Sequence, residues 1–210
     1  DKILLLGDIL YHGPRNDLPN NYAPKQVINV LNSLKDYIIA VRGNCDAEVD
    51  QMVLDFKINE DYYFEYNSYT IYLTHGHHVN YLNPKSFENK TIIMHGHTHI
   101  IRKDEVDNNI YVNIGSITLP KENTARCYAV LENNSIVVYD INDKEVFKLI
   151  EKSLIGITKF LYKLASIPSL NPFKTKYLAL SISYSPLPVK IFLLLHTFSN
   201  LTDRSLHLLQ

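Results

Sequence analysis

Four times between Lys2 and His99 the chain runs through a short apolar stretch and stops at a turn that carries a side chain able to bind metal. The stretches are residues 2–6 before Gly7-Asp8, 37–41 before Arg42-Gly43-Asn44-Cys45-Asp46, 69–73 before Thr74-His75-Gly76-His77, and 91–95 before Gly96-His97-Thr98-His99. Short apolar runs bounded by turn signals read as strands buried on both faces. A strand that ends in a ligand, repeated this way, confines the chain to a sheet with a metal site along its rim. In the last stretch two histidines at i and i+2 leave the strand toward one side. Neutral imidazoles held that way bind zinc, manganese or iron.

The remaining elements follow from local pattern. Val27, Val30, Leu31 and Leu34 recur at helical spacing over residues 23–34, with Pro24 suited to the first turn. Residues 11–24, rich in Pro, Asn and Gly, read as a loop. Residues 62–66 and 69–74 read as a hairpin about Asn67-Ser68, and 110–114, 127–131 and 135–141 as three further strands, the last two joined at Asn133-Asn134. Helices early and antiparallel strands late predict a layered α/β sandwich.

Composition divides the chain. Its 210 residues, 46% hydrophobic, suit one medium domain with an appendage. Residues 1–151 hold 21 acidic and 14 basic side chains, whereas residues 152–210 hold one and seven. Prolines at 168, 172, 186 and 188 break any long helix in that second part. The expected division is a domain over 1–149 and a basic, Pro-, Leu- and Ser-rich tail over 150–210. The tail reads as a disordered extension, as sequence never selected to fold, or as a basic surface for a membrane or partner. Cys45 and Cys127, with no secretory leader in view, read as free thiols of a reducing, cytoplasmic compartment. No apolar run reaches the roughly 18–20 residues of a membrane span, and no nucleic-acid signature is present.

Each candidate ligand has an ordinary reading beside the chemical one. Asp8 can bridge two cations through its two oxygens, or cap the next turn. Asn44 offers a neutral carbonyl oxygen, or is a turn residue. His75 and His77 repeat the i, i+2 arrangement, although a lone histidine is more often a packed one. Four such strand ends together favour the chemical reading.

Gly7-Asp8, Gly43-Asn44, His75-Gly76-His77 and Gly96-His97-Thr98-His99 resemble, in order and spacing, the motifs of the calcineurin-like metallophosphoesterases. The segments 7–16, 41–52 and 113–116 resemble the bacterial phosphodiesterases of the YfcE type, and the resemblance covers residues 2–142. It implies a layered α/β/β/α sandwich and a hydrolase with a two-metal site. One metal would be held by Asp8, Asn44, His75 and His97, and the other by Asp8 and His99. Asp8, Asn44 and His97 would be catalytic. Two cations about 3.5–4 Å apart clamp a phosphoryl group and activate a water. Manganese comes first among manganese, zinc and iron. His12, Arg15, Cys45 and His77 are expected near the substrate, and Arg42 and Asp46 are expected to pair and position Asn44.

Two departures from the family pattern bear on activity. Family members begin with a strand ending in Asp-x-His, and none of the nine histidines here has an aspartate two positions before it. The domain is thus expected to lack its first strand and helix. Residues 2–6 would then form an exposed sheet edge, with one metal expected in place of two. Many relatives also carry His where this chain has Cys45, a poor acid. The expected function is metal-dependent hydrolysis of phosphodiesters with good leaving groups, and a homo-oligomer stays open. The alternatives are a catalytically impaired scaffold, as in a retromer subunit of this superfamily, or a truncated gene product.

Overall fold

The computed structural model describes residues 1–66, 69–132 and 135–150, together with the backbone of 191–194. Beyond residue 150, the expected tail otherwise lies outside the described residues, as do the two hairpin tips at Asn67-Ser68 and Asn133-Asn134.

The first strand, β1 (Lys2–Leu5), alternates in the manner of a strand covered on both faces. Leu4 and Leu6 point into the central core, and Ile3 and Leu5 point to the opposite side. Helix α1 (Pro24–Ser33) starts on a proline, whose fixed φ suits the first helical position. It buries Val27 and Leu31 against Ile3, Leu5, Ile38 and Ala40. Each fully buried aliphatic side chain of this kind contributes about 1.5–3 kcal/mol.

A single turn of 3-10 helix leads into β2 (Ile38–Val41), which pairs parallel to β1. Helix α2 (Glu48–Val53) and the short β3 (Ile58–Asn59) follow. β4 (Tyr62–Tyr66) and β5 (Tyr69–Leu73) form the expected antiparallel hairpin, and β6 (Thr91–His95) runs parallel to β5. Then come β7 (Ile101–Val106), β8 (Asn109–Ile114), β9 (Cys127–Glu132), β10 (Ser135–Asp140), β11 (Glu145–Ile150) and β12 (Ile191–Leu194).

Two sheets result. One has the order β11-β10-β9-β12-β1-β2-β3 and the other β4-β5-β6-β8-β7. Between them lies the main core, with Leu4, Leu6 and Val41 from the first sheet and Ile71, Leu73, Ile92, Met94 and Val112 from the second. Outside the first sheet lies α1. Outside the second, Tyr72, Ile93 and Tyr111 are covered by Val79, Tyr81 and Phe87, so in the described residues this outer layer is made by loop side chains. The arrangement is the layered α/β sandwich expected from the sequence.

Four strands were not legible in the hydrophobic pattern: the two-residue β3, β7, β11 and β12. β7 carries Arg102, Lys103, Asp104 and Glu105, the charged character of a sheet edge, and it pairs only through one side. β11 carries the first sheet on to Ile150. β12 overturns the expectation of an exposed edge at residues 2–6. It pairs parallel to β1, with Lys2 opposite Ile191, and antiparallel to β9, with Leu131 opposite Ile191. β1 therefore has a neighbour on each side, and its N–H and C=O groups are not left for another chain to pair. Among the described residues no helix is long and apolar enough to cross a membrane.

Candidate metal centre

The strand ends β1, β2, β5 and β6 all deliver their polar residues to one rim of the sandwich. The loops after β1 and β2 cross at backbone contact, and this is where two glycines are required. A Cβ on Gly7 would lie 2.5 Å from the Gly43 nitrogen, and one on Gly43 would collide with the Asp8 carboxylate. Gly7 also sits at φ 92°, in the left-handed region open to glycine.

The carboxylate of Asp46 holds the crossing together. It accepts the backbone N–H of Asp8 at 2.8 Å and of Gly43 at 2.7 Å through one oxygen, and of Ile9 at 2.7 Å through the other. Burial raises the Asp46 carboxyl above its ordinary range despite these three donors. The expected Arg42–Asp46 pair takes a different form, because the Asp46 carboxylate is already committed to backbone N–H groups. Arg42 reaches the Asp46 backbone carbonyl at 3.2 Å, and its charge partners are Glu60 at 3.2 Å and Glu48 at 3.6 Å. Asp46 is the brace, and Arg42 secures the outside of the loop.

Four of the expected ligands meet at His75. Its Nδ1 lies 2.7 Å from the carbonyl of Leu6, an atom that can only accept, so Nδ1 carries the proton and donates. Its Nε2 lies 3.3 Å from Asp8 Oδ2, 3.1 Å from Asn44 Oδ1 and 3.2 Å from His97 Nδ1. The Asn44 amide nitrogen faces Cys45 Sγ at 3.2 Å, which leaves the amide oxygen toward His75. A carboxylate oxygen, an amide oxygen and imidazole nitrogens thus bring lone pairs to one point, the arrangement that a bound cation reconciles. Among the described residues no set of three His, Cys, Asp or Glu side chains is already spread as a metal shell. The donors are closed on one another, and Asn44 is the fourth member of the set. Their chemistry fits a hard or borderline divalent ion with mixed oxygen and nitrogen ligation.

The backbone supports the same reading. Asp8 (φ 55°), His97 (φ 72°) and His99 (φ 64°) all occupy the left-handed region, which costs a non-glycine residue about 1–3 kcal/mol and persists where the surroundings hold it. Those surroundings include Asn113, buried at the end of β8. Its amide nitrogen donates to the Gly96 carbonyl at 2.6 Å and to Thr98 Oγ1 at 2.9 Å, while its oxygen accepts the Gly115 N–H at 2.9 Å. Asn113 clamps the turn that presents both His97 and His99. Because His97 and His99 leave β6 through left-handed residues, their shared direction comes from this turn and not from strand alternation.

An open cavity of about 720 Å³ lies over these residues, lined by Asp8, Asn44, Cys45, His97 and His99, and by the exposed Arg15 and Lys121. Arg15 and Cys45, expected near the substrate, both line this cavity. Burial, reinforced by the Asp8 carboxylate, pushes the Cys45 thiol up to about 12. His12 does not line this cavity. It packs between Tyr11 and Tyr22, ring centroids 4.8 and 5.5 Å away. His77 lies beside the centre, 5.3 Å from the His75 ring and 6.0 Å from the His97 ring, but outside the cavity lining. Burial, with its histidine neighbours, holds its imidazole down to about 4. Asn113 and Lys121 were missed because an isolated asparagine or lysine in a single sequence carries no spacing signal.

The calcineurin-like phosphoesterase superfamily domain matches residues 1–135. Phosphodiesterase YfcE of Escherichia coli K12 is 37% identical over 145 residues, which are 69% of this chain and 79% of that protein. The solved structure of YfcE, a phosphoesterase from E. coli, superposes with a TM-score of 0.67 at 35% identity, covering 70% of this chain and 82% of that one. Vacuolar protein sorting 29 from Cryptosporidium parvum matches at 19% identity and a TM-score of 0.42, over 71% of this chain and 97% of that one.

Proposed function

Because the chain belongs to the calcineurin-like phosphoesterase superfamily and is a metal-dependent phosphoesterase, we propose that it hydrolyses phosphodiesters at the rim where Asp8, Asn44, His75 and His97 converge. The observation that carries this reading is the meeting of those four donors at His75 Nε2. Its E. coli relative at 37% identity is a phosphodiesterase.

In this reading Asp8, Asn44, His75 and His97 hold a divalent metal, and Asp8 with His99 contributes to a second position. Manganese is the ion we assign first, since the carboxylate and amide oxygens suit it, while the two imidazoles also suit zinc or iron. A bound divalent ion supplies positive charge to the phosphoryl oxygens and a water of lowered pKa. The residues themselves do the positioning. The Leu6 carbonyl fixes the His75 tautomer, so that Nε2 is the atom offered to the site. Asp46 keeps Asp8 and Gly43 in register, and Asn113 keeps His97 and His99 turned inward.

Cys45 sets a limit on the substrate. A general acid works best with a pKa near the working pH, and a thiol raised further by burial is a poor proton donor to a departing alkoxide. The leaving group must then depart with little help, which favours diesters of acidic alcohols and phenols. Cys45 and Cys127 are both free thiols, and on that basis we place the protein in the cytoplasm.

The test is hydrolysis of bis(p-nitrophenyl) phosphate by the full chain with Mn²⁺. We expect turnover that EDTA abolishes, with kcat/KM for this diester above that for p-nitrophenyl phosphate. A folded, Mn²⁺-saturated protein that cleaves neither ester would overturn the proposal and favour a binding role.

A further inference from the structure

The cavity over the metal centre carries more positive charge than a phosphodiester needs. Among its lining residues the one carboxylate is Asp8, which belongs to the metal donors, while Arg15 and Lys121 are both cationic and exposed. Neither is engaged in an ion pair among the described residues. A phosphodiester bears a single negative charge, which a divalent metal beside it already offsets.

Lys121 is also rooted with care. Its backbone N–H donates to the carbonyl of His99 at 3.0 Å. Its own carbonyl accepts the Thr124 N–H at 3.0 Å and the Thr124 hydroxyl at 2.8 Å. The turn between them passes through two consecutive left-handed residues, Glu122 (φ 51°) and Asn123 (φ 59°). The lysine thus springs from a turn tied to a metal-site histidine, and it comes from the loop after β8 in the second sheet. Arg15 comes from the loop after β1 in the first. The cavity's 720 Å³ falls in the size range of small-molecule sites and is far larger than an inorganic phosphate requires.

We infer that Lys121, together with Arg15, forms a second anion subsite, and that the preferred substrates are phosphodiesters in which one arm bears a further phosphate group. This rests on the phosphodiesterase reading above and names the substrate class for it. A lysine at such a position acts as a mobile point charge, able to follow a phosphate at the end of an arm, while the arginine offers fixed parallel donors.

Two substrates that differ in one group decide the matter: thymidine 5′-(p-nitrophenyl phosphate) and the same diester with a 3′-phosphate. With the Mn²⁺-loaded full chain, the 3′-phosphate should raise kcat/KM about tenfold, mainly through KM, as two partly exposed cations allow. Lys121→Gln should cut that preference to about twofold, and Lys121→Arg should restore most of it. In a metal-free arm, thymidine 3′,5′-bisphosphate should bind the EDTA-treated chain more tightly than thymidine 5′-monophosphate, and Lys121→Gln should remove about fivefold of the difference. Equal kcat/KM for the two diesters, or a preference untouched by Lys121→Gln, would overturn the inference. If neither diester is turned over, the phosphodiesterase reading fails on its own. The binding arm then decides the subsite, and equal affinity for the two nucleotides would overturn it.

Discussion

His75 donates from Nδ1 to the carbonyl of Leu6 at 2.7 Å, joining the end of the second sheet's β5 to the end of the first sheet's β1. One hydrogen bond therefore ties the two sheets at the rim, sets the imidazole tautomer and frees Nε2 for the site. His75 is fully buried, so the tie is made away from water, where it is strongest.

Replacing His75 separates these roles. His75→Ala removes a ligand and the tie, and should lower Mn²⁺ affinity and kcat/KM by about 100-fold or more. Adding imidazole should recover part of the activity without recovering stability, because free imidazole replaces the ligand but not the covalent link to β5. Equal activity in the variant and the parent would remove His75 from the site.

Asp46 touches no substrate, yet its removal should be felt at the metal. Asp46→Asn places an amide N–H₂ against one of the backbone N–H groups of Asp8, Ile9 or Gly43, all of which need an acceptor. The expected loss is about 2–4 kcal/mol of stability in urea unfolding, accompanied by weaker Mn²⁺ binding. A stability loss with unchanged metal affinity would make Asp46 a structural residue alone.

His95 makes the metal-free fold sensitive to acid. Burial is the main cause that lowers its imidazole from the ordinary 6.5 to about 4. Between those values the unfolded chain binds a proton that the folded chain refuses, so stability falls as pH falls through this window. The contribution is on the order of 3 kcal/mol, complete above about pH 6.5 and gone near pH 4. Urea midpoints in EDTA at pH 7.5, 6 and 5 should show the decline, and His95→Gln should flatten it. Part of the slope will remain, because His77 is shifted the same way. An unchanged slope in the variant would contradict the assignment.

The fold was legible where burial imposed a pattern. The runs ending at Gly7, Gly43, Thr74 and Gly96 are strands with both faces covered, so their residues had to be apolar, and α1 shows its one buried face through Val27 and Leu31. β7 was hidden because an edge strand solvated on one side can carry Arg102, Lys103, Asp104 and Glu105 at no cost. β12 was hidden because four apolar residues far along the chain say nothing of which gap they fill. At the site, Asp8, Asn44, His75 and His97 were legible because ligand chemistry needs particular residue types at strand ends. Asn113, Lys121 and the real duty of Asp46 were not, since hydrogen bonds to atoms 15–38 residues away leave no trace in local spacing. The left-handed turn that aims His97 and His99 belongs to the same class, being a property of the clamp and not of the motif.

Equilibrium dialysis of the full chain against Mn²⁺ tests the site most directly. One ion per chain is expected at the Asp8, Asn44, His75 and His97 position, lost in Asn44→Ala while circular dichroism shows the fold retained. No bound Mn²⁺, a second equivalent held as tightly as the first, or a stoichiometry indifferent to Asn44→Ala would contradict it.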